Sequence, residues 1–401
     1  MERRYCVSRY LSLAGIIIMF VITIICYHQT SIIRERVIVR IQPNDVLPET
    51  KSQTKNILLW NGYDRIEMKV FLRSLPNNNS CPYRNCRVTT DRRSNLLGKF
   101  DAIIFNMAVL HQLEKSDKLP PADTRESHQY YIFFSQESPF YHKENVQKDY
   151  IGYFNWTMSY LPESNIPYPY GRIERAAVDL KSKSYPIRKK TKLVAWFVSH
   201  CNTTQSRREN YVRELQKHIP IDIFGLCGPL KCNWNSDTGI SHPECYDMLE
   251  KEYKFYLSFE NSLCSHYVTE KFYSILKLDV VPVVMGRANY SAIAPPYSFI
   301  DALRYSPKQL ADYLLLLDGN QTLYESYLQW KTSYIIRSGY EEMGGQALCS
   351  LCAQLNLSDD RKEMMLADVL STWNPTTRCL NPRYVKAFLS IDRNNNRSTT
   401  S

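Results

Sequence analysis

Between Tyr253 and Gly286 the chain sets Glu260, Asn261, Tyr267, Thr269, Glu270 and Lys271 in a short polar stretch between two apolar runs, Phe255–Phe259 and Val280–Met285. Such a set can hold a phosphorylated, hydroxyl-rich ligand. Lys271 supplies a full positive charge. Glu270 can accept hydrogen bonds from ribose hydroxyls or guanine N–H groups. Asn261 can read a base edge or the ribose, and Tyr267 can stack or donate. The apolar runs read as strands and Thr269-Glu270-Lys271 as a helix start. A polar loop between a strand end and a helix start is where open α/β sheets bind ligands, and the helix offers N–H groups and a positive dipole end to an anion. Helix starts rich in Thr and Glu are common, so the triplet alone carries little.

A second candidate is Glu137. It follows the strand-like run Tyr130–Phe134 and precedes Ser138-Pro139. A strand end closed by a proline turn holds a carboxylate at the mouth of a cleft. Partly apolar surroundings raise its pKa, which suits a general base. The rival reading is a turn cap or an ion-pair partner. Glu163 and Glu174 lack a comparable strand-end setting. A third candidate is Arg207, in the run Val198 to Asn202 followed by Ser206-Arg207-Arg208-Glu209. A guanidinium fork matches phosphate oxygens. Arg207 is preferred by register, with Arg208 read as a helix-surface charge. His266 reads as a surface histidine.

The order Phe259-Glu260-Asn261-Ser262, four residues, Tyr267-Val268-Thr269-Glu270-Lys271, then Val281-Pro282-Val283-Val284, resembles the signature of α1,3-fucosyltransferases, which use GDP-fucose. That resemblance implies an α/β fold of the GT-B type, two Rossmann-like domains with a cleft between them. It implies transfer of L-fucose from GDP-fucose, with inversion. Glu137 in Glu-Ser-Pro would be the base. Arg207, Asn261, Tyr267, Glu270 and Lys271 would bind the donor. The chain departs from the family pattern at Ser206, where Ala is usual, and at His266, where Asp is usual. Cys227-Gly-Pro-Leu-Lys-Cys232 resembles invertebrate members. This points to α1,3 transfer onto N-acetylglucosamine of glycoprotein N-glycans. A Lewis-type enzyme acting on antenna N-acetyllactosamine is the alternative. An inactive type II membrane receptor or lectin is the reading from another class, but it leaves two nucleotide-type strand-loop-helix units unexplained. No metal is required: no Asp-x-Asp stands at a strand end, and Asp359-Asp360 falls in a late polar turn. Arginine and lysine can do the metal's work at a diphosphate, and Mn2+ stimulation is left open.

The elements that must position these groups can be read next. Residues 1–10 hold Arg3, Arg4 and Arg9. Residues 11–27 are apolar and uncharged, and residues 28–52 are polar with Pro43 and Pro48. The expected order is a cytoplasmic tail, one transmembrane signal anchor and a stem, which makes a single-pass type II protein of the Golgi membrane with its body in the lumen. An oxidising lumen suits the ten cysteines of the body. Cys81, Cys86, Cys349 and Cys352 are disulfide candidates, with Cys349 and Cys352 expected to bridge to the N-terminal pair; zinc is the weaker reading of C-x4-C with C-x2-C. Sequons stand at Asn78, Asn155, Asn202, Asn289, Asn320, Asn356 and Asn396. The net charge of +10 does not point to nucleic acid in a luminal protein; a basic cleft for a nucleotide diphosphate accommodates part of it.

Strand-like runs at Ile57–Trp60, Ala102–Phe105 and Tyr130–Phe134 form one series. Leu193–Val198, Ile221–Phe224, Phe255–Phe259, Val280–Val284 and Phe299-Ile300 form a second. Gln309–Leu317 and Leu323–Trp330 read as helices. Tyr168–Lys192, rich in Pro and Lys, reads as a linker. The body is too long for one ordinary core, so the expected domains are an acceptor-side unit at 53–185, a donor-binding unit at 186–365 and a C-terminal extension at 366–401.

Overall fold

The computed structural model describes residues 53–73, 81–112, 119–121, 124–142, 152–177, 190–201, 204–232, 234–235, 240–241, 243–357, 372–381 and 383. The apolar run at 11–27, the stem, and the sequons at Asn78, Asn202 and Asn396 lie outside these residues. No helix among the described residues is long and apolar enough to cross a membrane.

Strands β1 (Lys55–Leu59), β2 (Cys86–Thr89), β3 (Ala102–Asn106), β4 (Tyr130–Ser135), β5 (Trp156–Ser159) and β6 (Ile166–Pro167) form a parallel sheet in the order β2-β1-β3-β4-β5-β6. Every residue of β3 is buried, and so are five of the six in β4. Runs this apolar belong in parallel sheets covered on both faces. β8 (Lys192–Phe197), β9 (Ile221–Phe224), β12 (Tyr253–Phe259), β13 (Val281–Met285) and β14 (Ile300–Asp301) form a second parallel sheet, in the order β14-β13-β12-β8-β9. Between β9 and β12 lies a small antiparallel ribbon of β10 (Trp234–Asn235) and β11 (Ile240–Ser241). Helices α1 (Arg208–Leu215), α2 (Pro243–Glu252), α3 (Glu270–Leu276), α4 (Tyr290–Ile293) and α5 (Pro307–Gly319) belong to this second series. Ser306 and Gln309 form a capping box at the start of α5, with Pro307 at its first position.

Three features depart from the expected organisation. Residues 171–175 are not linker: β7 (Gly171–Arg175) pairs antiparallel with β15 (Tyr334–Ser338). The partner is far away in sequence, so local composition carries no trace of the ladder. Gly171 has a packing reason: a Cβ there would lie 2.5 Å from the ring of Tyr273. Helix α6 (Tyr340–Leu357), expected inside the 186–365 unit, packs on the first sheet. Its Met343, Ala347, Leu348, Leu351 and Leu355 meet Ile57, Leu59, Phe71 and Met158. Disulfides Cys81–Cys349 and Cys86–Cys352 fix that packing, pairing the four cysteines as expected between the two ends of the body. The segment 372–380 is no loose extension either. Trp373 is buried at 1% exposure, and Cys379 bridges Cys264. Cys201–Cys227 and Cys232–Cys245 complete the disulfides of the described residues. One aromatic core joins both sheets, with Phe105, Tyr131 and Phe133 from the first and Tyr267, Phe272 and Val284 from the second series.

Candidate active site

Glu137 stands directly after β4, and the residues beside it are pinned. Tyr170 donates to the Gln136 carbonyl at 2.5 Å, Gln136 Nε2 donates to the Tyr168 carbonyl at 2.7 Å, and the Glu137 N–H donates to Ser135 Oγ at 3.2 Å. Ser138 Oγ donates to Ser262 Oγ at 2.8 Å in a buried contact, so the Glu-Ser-Pro and Phe-Glu-Asn-Ser segments are joined directly. From the second series, Tyr267 donates its hydroxyl to Glu137 Oε2 at 3.1 Å. Burial pushes the Glu137 carboxyl above the usual carboxylate range, and the charge of Lys271 and the Tyr267 hydrogen bond offset this only in part.

The helix start is organised differently from the sequence expectation. The buried carboxylate of Glu260, at the end of β12, accepts from the Thr269 N–H at 2.8 Å and from its hydroxyl at 2.9 and 3.0 Å. Thr269 in turn caps α3 through the Lys271 N–H. The protein's own Glu260 is therefore the anion at this helix start, and these N–H groups are engaged rather than open to a ligand. Lys271 Nζ lies 3.0 Å from Glu270 Oε1, 3.0 Å from Thr269 Oγ1 and 3.6 Å from Glu260 Oε2. Burial alone would lower the Lys271 pKa; the two carboxylates outweigh it and raise the net value. For Glu270, burial alone would raise the carboxyl, and Lys271 with the hydrogen bonds brings it below the usual range.

The arginine assignment moves by one residue. Arg207 is exposed and has a left-handed backbone with φ 48°, as the residue just before α1. Arg208, the first residue of α1, is 3% exposed. Its Nη1 donates to the Phe259 carbonyl at 2.6 Å and its guanidinium lies over the Trp196 ring. Nε makes no hydrogen bond and lies 3.8 Å from Glu209 Oε1. The left-handed turn at Arg207 rotates that side chain away and turns the next one under the end of β12.

These groups line one cleft of about 290 Å³, between the ends of the two sheets. Glu137, Arg208, Asn261, Tyr267, Glu270 and Lys271 are in its wall; Arg207 is not. The Asn261 side-chain oxygen is buried and makes no hydrogen bond among the described residues. The lining also holds groups the sequence reading missed: Arg65 and Glu67, paired at 2.6 Å, Tyr170 and Tyr340 on the first-sheet side, and Tyr246 and Tyr256 on the other. The strand-end rule would have found Arg65 and Glu67, because they follow β1 across the turn at Gly62. The wall carries Arg65, Arg208 and Lys271 against Glu67, Glu137 and Glu270, so it is balanced rather than basic. The excess charge of the chain is elsewhere. Among the described residues no group of three His, Cys, Asp or Glu side chains could hold a metal ion.

His266 has φ 59° and faces a different cavity. Of the described sequons, Asn289 and Asn320 are exposed; Asn155 and Asn356 are half-buried with their amides hydrogen-bonded.

Family models match almost the whole body. Residues 187–373 match the C-terminal model of glycosyltransferase family 10 (fucosyltransferase), and residues 52–171 match the fucosyltransferase N-terminal model. The chain is 36% identical to alpha-(1,3)-fucosyltransferase C of Drosophila melanogaster over 348 residues, 80% of this chain and 78% of that one. It is 34% identical to glycoprotein 3-alpha-L-fucosyltransferase A of the same organism, over 82% of this chain and 62% of that protein's length. It is 38% identical to a 3-galactosyl-N-acetylglucosaminide 4-alpha-L-fucosyltransferase of Bos taurus, over 63% of this chain and 66% of that one.

Proposed function

The chain belongs to glycosyltransferase family 10, the fucosyltransferases, and from that premise we propose that it moves L-fucose from GDP-fucose to the 3-hydroxyl of N-acetylglucosamine in glycoprotein N-glycans. The single observation that carries this reading is the meeting of Glu137 and the Lys271 segment in one cleft, joined by the Tyr267–Glu137 hydrogen bond.

Transfer in this reading is one inverting displacement. The acceptor oxygen forms its bond to the fucose anomeric carbon while Glu137 takes the hydroxyl proton. The bond from that carbon to the β-phosphate oxygen breaks, and its electron pair leaves with GDP. A raised pKa makes the Glu137 carboxylate a stronger base toward the acceptor proton. Lys271 and Arg208 face the leaving diphosphate, whose charge grows as the bond breaks, so their contribution is largest in the transition state. Asn261 and Glu270 read the nucleoside, and Tyr246 and Tyr256 offer aromatic faces for the base. Arg65 and Glu67 face the acceptor side. In this reading the two sheets are the halves of a GT-B enzyme and residues 11–27 anchor it, single-pass and type II, in the Golgi membrane.

The glycoprotein acceptor is favoured because a Drosophila relative carries that name; likeness to the bovine enzyme, named for a galactosylated N-acetylglucosamine, keeps a Lewis-type antenna acceptor as the second reading. A panel of core and antenna N-glycans with GDP-fucose, read by mass spectrometry with linkage analysis, separates them. Transfer to antennae alone overturns the core reading. No transfer to any glycan, together with no GDP-induced rise in melting temperature, overturns the enzyme.

A further inference from the structure

The arginines and the lysine of the cleft wall are already engaged. Arg65 Nε donates to Glu67 at 2.6 Å. Arg208 gives Nη1 to the Phe259 carbonyl and has Glu209 beside it. Lys271 stands between Glu270 and the buried Glu260. With Glu137 also in the wall, these cations leave no surplus positive charge. A diphosphate that joins a nucleoside to a sugar brings one negative charge on each phosphate throughout the neutral range.

His200 is the described wall residue that can gain a charge to meet it. It stands three residues after β8, on the connection that also delivers Arg208 at the start of α1. β8 lies beside β12, so this connection leaves the sheet at the carboxyl edge, where open α/β folds bind ligands. His200 is exposed, and its ring makes no hydrogen bond or ion pair with any described residue. Its backbone is held all the same. The next residue, Cys201, is bridged to Cys227, and the Cys227 N–H donates to the Val198 carbonyl at 3.2 Å.

Histidine is the side chain that changes charge between pH 5 and 8. The charged groups around the cleft come from every element that forms it. Arg208 and Glu209 share the connection of His200, and Glu260, Glu270 and Lys271 come from the end of β12 and the start of α3. Lys231, after β9, donates to the Gly225 carbonyl at 3.3 Å. Glu137 and the Arg65–Glu67 pair stand on the first-sheet side. Burial raises the Glu137 and Glu260 carboxyls above the usual carboxylate range, so these two are the rival proton acceptors as pH falls.

We propose that His200 is a donor-binding residue, whose imidazolium faces the diphosphate of the sugar nucleotide and supplies the positive charge that the engaged cations do not. This rests on the reading of the cleft as a GDP-fucose site. Donor and proton then favour each other's binding by the same factor.

The test is a calorimetric titration of the full chain with GDP-fucose at pH 5.5, 6.5 and 7.5, without acceptor. The intact donor is the probe, because a terminal phosphate has a second pKa of about 6 and free GDP would itself titrate. The Kd should be ~10-fold lower at pH 5.5 than at pH 7.5, the factor that one unit of linkage gives. His200→Asn should bind as the parent does at pH 7.5 and stay there as pH falls. His200→Arg carries a fixed charge and should bind tightly at all three. An affinity of the parent that is flat with pH overturns the proposal. So does a His200→Asn variant that tightens on acidification as the parent does, which would make Glu137 and Glu260 the proton acceptors, or a His200→Arg variant no tighter than His200→Asn. No binding by the parent at any pH overturns the donor reading itself, and this inference with it.

Discussion

Tyr267 donates to Glu137 Oε2 at 3.1 Å, although 130 residues separate them in the chain. The bond crosses from the second sheet's loop to the end of β4, so it marks where the two halves of the site meet. It also acts on the acidity of the base. Burial raises the Glu137 pKa, while Lys271 and the Tyr267 hydroxyl favour the ionised form and pull it back.

Glu137→Gln should cost ~10²- to 10⁴-fold in kcat if the residue is the general base. Stability should move the other way. The folded-state pKa is raised, so between the ordinary carboxylate value and that raised value the folded chain binds more protons than the unfolded chain. Stability therefore falls as pH rises through this window. The glutamine variant escapes that penalty and should melt no lower than the parent at neutral pH. Near-normal kcat would remove Glu137 from the mechanism; a lower melting temperature with kcat lost would make its role structural.

Tyr267→Phe separates the hydroxyl from the ring. The ring keeps its packing with Tyr160, while the carboxylate loses a donor. The acid limb of the pH–rate profile, where Glu137 becomes protonated, should move to higher pH because the lost bond favoured ionisation. At a pH well above that limb kcat should recover most of its value. A profile that keeps its limb and falls uniformly would show that Tyr267 acts on the nucleotide instead.

The parts of this molecule that sequence made legible are those where one local run carries the signal. Ala102–Phe105 and Val281–Met285 are continuous apolar runs, and both are buried parallel strands. Helix α5 has a proline, a capping box and a periodic apolar face. Pairing over distance was not legible. Arg172-Ile173-Glu174 has no apolar run, and becomes a strand only because Tyr334–Ser338 pairs with it. Helix α6 begins with paired glutamates and carries Gly344-Gly345, a weak helical pattern, and its place on the first sheet depends on contacts from the other end of the chain. In the site, residue types were readable but direction was not. Arg207 and Arg208 are chemically identical, and one left-handed residue decides which of them enters the cleft.

That difference gives a paired test. Arg208→Ala should raise the apparent KM for GDP-fucose and lower kcat, by ~10²-fold or more in kcat/KM, as for removal of a donor to developing charge. Arg207→Ala should leave both near normal. Arg207→Gly should also raise the melting temperature slightly, because glycine takes φ 48° without strain. Because Arg208 also bonds the Phe259 carbonyl, its variant needs a melting curve beside the kinetics. Crippled kinetics for Arg207→Ala with a normal Arg208→Ala would restore the exposed arginine as the phosphate ligand.

The disulfides on α6 should behave as a pair. Cys81–Cys349 spans 268 residues and Cys86–Cys352 spans 266, but at each end the two bridges are only a few residues apart. Removing one leaves the other to close the long loop, so the unfolded chain regains only the freedom of a short ring. By the chain-entropy account that costs roughly 3 kcal/mol. Removing the second then frees the long loop and costs roughly 5 kcal/mol more, so the double loss exceeds twice a single one. Domains are stable by roughly 5–15 kcal/mol, so the double variant should secrete poorly or unfold at low denaturant while each single variant folds. Urea midpoints for Cys81→Ala with Cys349→Ala, for Cys86→Ala with Cys352→Ala, and for all four together measure this. Strictly additive losses would show that the bridges act through native packing of α6 and not through the loop they share.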